Sequence, residues 1–163
     1  KKNGLFHSVY GYTIDDHRYI NSTLRHQYLV SMKYGEQISE IDKAIELYYN
    51  SLKEYGLSDI DKPFKVNRKF VPTNSELTRI LYQVEEGTYT DLGYMSTSTG
   101  NDFQSTGLVT LEIEITSLNV GAFVYGLSIR PTEREFLIKR NIPFIVTDYQ
   151  FKNDKHLIKL RSI

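Results

Sequence analysis

The eight residues Val109-Thr110-Leu111-Glu112-Ile113-Glu114-Ile115-Thr116 alternate between apolar and polar side chains. Successive side chains of a β-strand point to opposite faces, so this stretch predicts a strand with one face in a core and the other in water. A half-buried strand of this kind is typical of antiparallel sheets. Shorter strands are predicted at residues 64–70, 93–98, 121–126, 134–139, 142–149 and 156–161.

The part of the chain before residue 57 has the spacing of helices instead. Ile20, Leu24 and Tyr28 recur four residues apart after Thr13-Ile14-Asp15-Asp16, which resembles a capping box, and Gly35 is the expected end of this helix. A second helix is predicted to end near Gly56 and to bury an apolar stripe formed by Ile38, Ile41, Ile45, Tyr48, Tyr49 and Leu52.

A third, short helix is predicted after the first strand. Thr73-Asn74-Ser75-Glu76 has the T-x-x-E pattern of a capping box, and Gly87 stands where a C-cap glycine belongs. Helices first and strands later predict an α+β fold. We expect a single domain over residues 1–163, with a helical part at about 12–56 and a β-rich core at about 64–163.

The composition excludes several classes of protein. The chain has 163 residues with 20 Lys and Arg against 20 Asp and Glu, and this balance argues against a dedicated nucleic-acid-binding protein. It has no cysteine, which excludes disulfide scaffolds, zinc-thiolate sites, iron–sulfur clusters and cysteine nucleophiles. No apolar run approaches the roughly 18–20 residues needed to cross a bilayer, and none near the start has signal-peptide length.

Arg68 interrupts the pattern of the predicted strand at residues 64–70. It shares a face with Phe64, Val66 and Phe70, and this face should be the buried one. A guanidinium there must be paired, or it must border a cleft and bind an anion. The alternative is an edge strand with Arg68 at its solvent-facing end.

Two polar patterns in the predicted strands are further candidates for chemistry. Glu133 and Glu135 flank Arg134 at the start of a strand, so their spacing predicts both carboxylates on one side. Such a pair suits acid–base or cation-stabilising work, and the alternative is a solvated strand end balanced by basic neighbours. Ser96-Thr97-Ser98 offers hydroxyls to a catalytic carboxylate, or it is a polar strand end.

Other familiar sites are missing from the sequence. The four histidines, His7, His17, His26 and His156, are scattered, and none pairs at metal-ligand spacing on a shared helix face. We therefore predict no metal site. The Gly-x-Ser-x-Gly, Walker and Rossmann glycine patterns are also absent, which removes the usual hydrolase, kinase and dehydrogenase signatures.

The order of Arg68, Ser96-Thr97-Ser98 and Glu133-x-Glu135 resembles the R-S-E class of mono-ADP-ribosyltransferase toxins. This class includes the actin-modifying binary toxins and the Rho-modifying exoenzymes. The likeness covers roughly residues 12–162. Its other parts are residues 19–25, similar to the I-N-x-x-L-R helix, residues 93–98, similar to the G-F/Y-x-S-T-S strand, and residues 121–144, similar to the turn-turn loop with its flanking strands.

The resemblance implies the ADP-ribosyltransferase fold, in which two packed, mainly antiparallel β-sheets carry an N-terminal helical lobe. NAD, as substrate, would lie in the cleft between the sheets, and no metal is implied. Arg68 would hold the NAD phosphates, with Asn21 and Arg25 supporting the same region. The backbone of Lys69 would lie near the nicotinamide amide, and Phe103 would stack on nicotinamide.

The same resemblance implies roles for the serine and the two acids. Ser96 would orient Glu135, which would bind the nicotinamide-ribose 2′-hydroxyl and stabilise the oxocarbenium-like transition state. Glu133 would position the acceptor. In the family, glutamate at this position goes with arginine acceptors and glutamine with asparagine acceptors. A carboxylate suits arginine, because the guanidinium is cationic and must lose a proton around the attack.

The implied activity is transfer of ADP-ribose from NAD to an arginine of a target protein, such as actin or another host protein. The alternatives are an NAD glycohydrolase, with water as the acceptor, and a binding module on the same fold that has lost catalysis. ADP-ribosylation of DNA or RNA is a further alternative, which the neutral charge disfavours. The resemblance also implies a toxin or virulence effector that is secreted or delivered into a host cell.

Overall fold

The computed structural model describes residues 2–26, 32–100, 107–124 and 134–163, so Phe103 and Glu133 lie outside the described residues. Three helices come first, then strands with one further helix among them. A π-helical turn, Tyr12–Asp16, joins the first two helices. The elements are α1 (Lys2–Gly11), α2 (His17–His26), α3 (Met32–Glu54), β1 (Phe64–Phe70), α4 (Asn74–Glu86), β2 (Thr88–Thr90), β3 (Met95–Ser98), β4 (Val109–Ile115), β5 (Gly121–Phe123), β6 (Glu135–Ile138), β7 (Pro143–Lys152) and β8 (Lys155–Ser162).

The strands follow one hydrogen-bonded order, β2-β7-β8-β4-β1-β3-β6-β5. A single register pair, Asn67 with Ser98, joins β1 to β3. The sheet therefore consists of a five-stranded part, which ends at β1, and a three-stranded part, β3-β6-β5. The expected α+β fold with an N-terminal helical lobe is confirmed, and the two expected sheets are joined at this pair.

Strand β4 has the predicted half-buried character. Val109, Leu111, Ile113 and Ile115 are fully buried, and the residues between them are partly exposed. The expected antiparallel pairing holds toward β1, but on its other side β4 runs parallel to β8. Parallel neighbours need a long crossover, and β5, β6 and β7 supply it here.

The buried apolar side chains of the described residues form two hydrophobic cores. The larger one lies between the two parts of the sheet, where the Phe64 ring contacts the rings of Phe123 and Phe136, each at 5.6 Å between centroids. The second lies between the helical lobe and the other face of the three-stranded part. Its buried members are Val9, Tyr12, Ile20, Ile38, Ile41, Ile45, Tyr94, Ala122, Val124 and Leu137.

The helix ends agree with the sequence in some places and differ in others. The capping box of Thr73 and Glu76 is present, and Gly87 ends α4 with a φ of 80°. Gly56, with a φ of 70°, follows the end of α3 as expected. The predicted capping box at Thr13–Asp16 is wrong, because α1 precedes it and this segment is a π-helical turn without a side-chain cap.

Gly35 also differs from its prediction, since it lies inside α3 rather than at the end of a helix. Glycine inside a helix costs only about 1 kcal/mol relative to alanine, and the buried stripe of α3 outweighs this. Among the described residues, no helix is both long enough and apolar enough to cross a membrane.

Candidate active site

Arg68 lies in the middle of the sheet, on a strand flanked by β4 and β3, so the alternative of an edge strand is wrong. Its Nη1 donates a hydrogen bond to the carbonyl of Ser96 at 3.2 Å, and its guanidinium carbon lies 5.1 Å from the centre of the Phe70 ring. Burial, and then the positive charge of Arg25, lower the pKa of Arg68 from its usual value. No carboxylate in the described part of the chain forms an ion pair with it.

Glu135 is the first residue of β6, and it is only 6% exposed. It lies opposite Ser98 in the ladder between β3 and β6, while Ser96 lies opposite Leu137. Directly opposed residues, and residues two apart on one strand, point to the same side of a sheet. Ser96, Ser98 and Glu135 therefore share one face, with Ser98 as the direct cross-strand neighbour of Glu135. That Ser96 orients Glu135 stays a prediction.

Arg134, just before Glu135, has an unusual backbone conformation. Arg134 has a φ of 46°, in the left-handed region that residues other than glycine rarely adopt, and β6 begins only after it. Strand β6 begins at Glu135, so the expectation that Glu133 and Glu135 lie on one side of a strand stays a prediction. Glu133 itself lies outside the described residues.

Helix α2 brings Asn21 and Arg25 to the segment before β3. Asn21 accepts a hydrogen bond from the Tyr94 N–H at 2.9 Å and donates one to the Tyr12 hydroxyl at 2.7 Å. Arg25 donates from Nε to Asp91 at 2.8 Å and from Nη2 to the Tyr94 carbonyl at 3.0 Å. Asn21 and Arg25, about one helical turn apart, therefore bind the N–H and the carbonyl of Tyr94.

Gly93 allows this close approach. A Cβ at this position would lie 2.9 Å from Asn21 Oδ1 and 3.1 Å from Arg25 Nε, closer than side chains normally pack. The Gly93 N–H also donates to Asp91 Oδ1 at 2.8 Å. The glycine of the G-Y-x-S-T-S stretch is thus required by contact with the helix rather than by its backbone conformation.

The charges of the site are only partly balanced. Burial disfavours the charge of Arg25, but Asp91 more than offsets this effect and the pKa of Arg25 is raised. Arg68 has no such partner among the described residues. Tyr12, buried beside them, has its pKa raised to about 12, mainly by burial, and the charges of Arg25, Arg68 and Glu135 all act on this phenol. Arg25, Arg68 and Glu135 therefore all lie near the Tyr12 hydroxyl.

A cleft opens to solvent beside Arg25 and Arg68. Helix α4 and strand β2 form its other wall, which adds a third arginine, Arg79. The lining combines basic, acidic and apolar groups, and it consists of Arg25, Arg68, Phe70, Glu76, Arg79, Ile80, Gln83, Tyr89, Thr90, Asp91 and Leu92. An exposed cleft lined by three arginines and by apolar side chains suits a ligand that carries both phosphate and ring groups.

The two remaining predicted residues are Lys69, which the structure describes, and Phe103, which it does not. Lys69 follows Arg68 on β1, and the backbone of Lys69 packs against Gly107, where an added Cβ would lie 3.0 Å from the Lys69 carbonyl carbon. Phe103 lies outside the described residues, so its stacking role stays a prediction. In the described part of the chain, no group of three histidine or acidic side chains is placed to hold a metal ion.

Sequence reasoning missed Asp91, which fixes Arg25 and caps the turn before β3. Its side chain accepts from the N–H two residues later, as in an Asx turn. The D-x-G spacing of Asp91 and Gly93 was a readable signal for such a turn. It gave no sign, however, that the carboxylate would also receive an arginine 66 residues away.

A comparison with protein families matches residues 6–162 to the family described as ADP-ribosyltransferase exoenzyme. The chain belongs to this family. The match contains the predicted Arg68, Ser96 and Glu135 and the two helix residues Asn21 and Arg25. A comparison with curated protein sequences gives no significant match.

Solved structures of bacterial ADP-ribosyltransferases share the fold of this exoenzyme domain. HopU1 from Pseudomonas syringae has 19% sequence identity and a TM-score of 0.70, over 90% of this chain and 64% of that one. Exoenzyme S from Pseudomonas aeruginosa, in complex with human 14-3-3 protein beta and bound to carba-NAD, has 17% identity and a TM-score of 0.77, over 98% of this chain and 73% of that one.

An ADP-ribosyltransferase from Clostridium botulinum has 16% identity and a TM-score of 0.73, over 98% of this chain and 86% of that one. At such identities the likeness concerns the fold alone. The chain also spans less than two thirds of the HopU1 structure. The activity, substrates and partners of this exoenzyme domain are therefore matters for proposal.

Proposed function

We propose that this exoenzyme domain, over residues 1–163, is a mono-ADP-ribosyltransferase that moves ADP-ribose from NAD to an arginine of a target protein and releases nicotinamide. The observation that carries this proposal is the meeting of β1, β3 and β6. Arg68 donates to the Ser96 carbonyl of β3, and Glu135 of β6 lies directly across from Ser98, which supports a single site formed by these strands. Family membership supports the same conclusion.

The arginines of the cleft account for the binding of NAD as substrate. The NAD pyrophosphate carries two negative charges, and guanidinium groups bind phosphate through charge-assisted, often paired hydrogen bonds. Arg68 has no carboxylate partner among the described residues, and Arg25 is held in place by Asp91 and the Tyr94 carbonyl. The carba-NAD bound to exoenzyme S, a structural relative, supports this ligand for the fold.

Glu135 supplies the negative charge that the reaction needs. The bond between the ribose C1′ and the nicotinamide nitrogen breaks, its electron pair leaves with nicotinamide, and positive charge develops on the ribose. A buried carboxylate stabilises this charge strongly, because little water screens it. The same carboxylate would hold the ribose 2′-hydroxyl, and Arg68 would fix the phosphates so that C1′ faces Glu135.

We assign to Glu133 the role of positioning the acceptor arginine. A guanidinium nitrogen of the target attacks C1′, a new C–N bond forms, and the guanidinium loses a proton. Free arginine holds this proton very tightly, so a carboxylate that binds the cation and draws off the proton assists the attack. The acid in this position supports arginine rather than asparagine as acceptor.

The target we propose is a protein of a host cell, actin or another, reached after secretion or delivery of the exoenzyme. Nucleic acid is not expected as acceptor, since the chain has equal numbers of basic and acidic residues. The acceptor has to present an arginine to the edge of the site where β6 begins.

The pair Glu133→Gln and Glu135→Gln tests the two roles. We expect Glu133→Gln to lose transfer to protein but to keep part of the NAD hydrolysis, because Glu135 still stabilises the ribose cation. We expect Glu135→Gln to lose both reactions by about 100-fold or more, the usual effect of removing a group that stabilises transition-state charge. Nicotinamide release and labelled protein, measured in parallel, separate the reactions.

The two variants are matched controls for one another, since each replaces one carboxylate by an amide of the same shape. Equal loss of transfer and hydrolysis in both would contradict the assigned roles. A wild-type protein that hydrolyses NAD but labels no protein in a host lysate would point to a glycohydrolase instead.

A further inference from the structure

Tyr94 is the residue at which the helical lobe meets the strands of the site. Its backbone N–H and carbonyl bind Asn21 and Arg25. Its ring is fully buried and packs edge-on against Tyr12, at 5.5 Å between centroids. Its hydroxyl reaches helix α3, where it donates to the carboxylate of Asp42 and lies 3.1 Å from the Ile38 carbonyl. One residue is thus held by two helices at once.

Asp42 connects the same point to strand β6. Arg140, two residues after the end of β6, donates to Asp42 Oδ2 from Nε at 3.1 Å and from Nη2 at 2.9 Å. We call these three residues the Asp42–Tyr94–Arg140 cluster. It joins α3, the segment before β3 and the strand that begins with Glu135.

Near neutral pH the Tyr94 phenol stays protonated and Arg140 stays charged. Burial, and then the hydrogen bond to Asp42, raise the pKa of the Tyr94 phenol, so it remains a hydrogen-bond donor. The hydrogen bond to Asp42 raises the pKa of Arg140, so it remains charged. The side chains of Arg140 and Asp42 are 37% and 38% exposed, and an ion pair this exposed contributes little to the free energy of unfolding. Its two-nitrogen geometry restricts orientation instead.

We propose that the Asp42–Tyr94–Arg140 cluster positions the helical lobe for NAD binding. By fixing the Tyr94 side chain against α3, it fixes the Tyr94 backbone to which Asn21 and Arg25 are bonded. Arg25 is then held beside Arg68 in the lining of the cleft. Tyr94 is in this account a positioning residue that does not touch NAD, and the inference rests on the proposed function.

Tyr94→Phe and Asp42→Asn test the proposal, together with the double variant. Each keeps the shape of its side chain and removes one part of the link. We expect each single variant to raise the KM for NAD by about tenfold while kcat changes by less than about twofold, since binding is disturbed and the reacting groups are not. The double variant should be no worse than the more affected single variant, because both remove the same link.

Glu112→Gln is the matched control. It breaks the pair between Lys65 and Glu112, 3.1 Å apart, on strands β1 and β4. Neither residue lines the cleft, so the KM for NAD should stay unchanged. If Tyr94→Phe and Asp42→Asn lower the Tm but leave the KM for NAD as in the wild type, the cluster has only a structural role and the proposal is wrong.

Amide hydrogen exchange gives a readout that does not depend on NAD. Loosening the link should speed exchange of the Tyr94 N–H, which is bonded to Asn21, in Asp42→Asn but not in Glu112→Gln. Unchanged exchange at Tyr94 would overturn the positioning role. The exchange measurement tests only the positioning role of the cluster. The proposed function is tested separately, and a wild-type protein that does not bind NAD would contradict it.

Discussion

Gly93 is a position where the absence of a side chain decides the geometry of the site. Replacement by alanine would bring a Cβ to 2.9 Å from Asn21 Oδ1 and 3.1 Å from Arg25 Nε. Both side chains are bonded to the Tyr94 backbone and cannot move away without losing those bonds. We expect Gly93→Ala to weaken NAD binding by at least about tenfold and to destabilise the fold by about 1–3 kcal/mol, as overpacking usually does. Calorimetric titration with NAD measures the first effect and urea unfolding the second.

Gly56→Ala is the control for this prediction. Gly56 has a φ of 70°, so alanine there is strained, yet an added Cβ would meet no atom within 4 Å. This variant should lose roughly 1 kcal/mol of stability through the backbone and bind NAD as the wild type does. If both glycine variants weaken NAD binding equally, loss of stability rather than of site geometry explains the effect.

The residues of the site differ in how far the sequence could locate them. Arg68 was detectable because a cation on the buried face of a strand conflicts with its surroundings. Asn21 and Arg25 were found only through the resemblance, since both residue types are common on helices. Asp91 was missed, because its partner lies far along the chain and local spacing carries no information on such pairs.

At the scale of single elements, helix α4 forms one wall of the cleft, and its start depends on Thr73. Thr73 Oγ1 accepts from the Glu76 N–H at 3.3 Å, and the Glu76 carboxylate accepts from the Thr73 N–H at 3.3 Å. Thr73→Ala should cost about 1 kcal/mol of stability. Thr73→Ser, which keeps the hydroxyl, should restore most of it. Urea unfolding of the two variants checks this, and equal losses would contradict a capping role.

The elements that the sequence predicted well are those with strong local signals. Strand β4 alternates over its whole length, and the start and end of α4 carry a capping box and a C-cap glycine. The false capping box at Thr13–Asp16 was a local pattern overruled by its context, since the helix had already begun upstream. Strand β2 has only three residues and was missed, because its ladder with β7 forms between distant parts of the chain.

The chain has 13 tyrosines and no tryptophan. At the scale of the whole molecule, several of these tyrosines are buried in the cores, which explains part of their abundance. Tyr12, Tyr89 and Tyr94 are nearly inaccessible, and burial raises the pKa of each. For Tyr12 the pKa rises from 10.0 to about 12. A group with a raised pKa in the folded state contributes stability that is complete below its unfolded pKa and is lost as the pH rises through its folded pKa.

We therefore expect the free energy of unfolding to fall steeply above pH 10. Each such tyrosine contributes a slope of about 1.4 kcal/mol per pH unit between its unfolded and folded pKa. Tyr12→Phe should be less stable near neutral pH but show a shallower decline above pH 10. Urea unfolding of both proteins at a series of alkaline pH values measures the two slopes, and parallel slopes would contradict the assignment to Tyr12.

Incubation of the protein with NAD labelled in its ADP-ribose part and a eukaryotic lysate, followed by mass spectrometry of the labelled protein, tests the central claim most directly. The account predicts ADP-ribose on an arginine side chain, and label reduced by about 100-fold or more with Glu135→Gln. Label on asparagine, or consumption of NAD without any labelled protein, would contradict it.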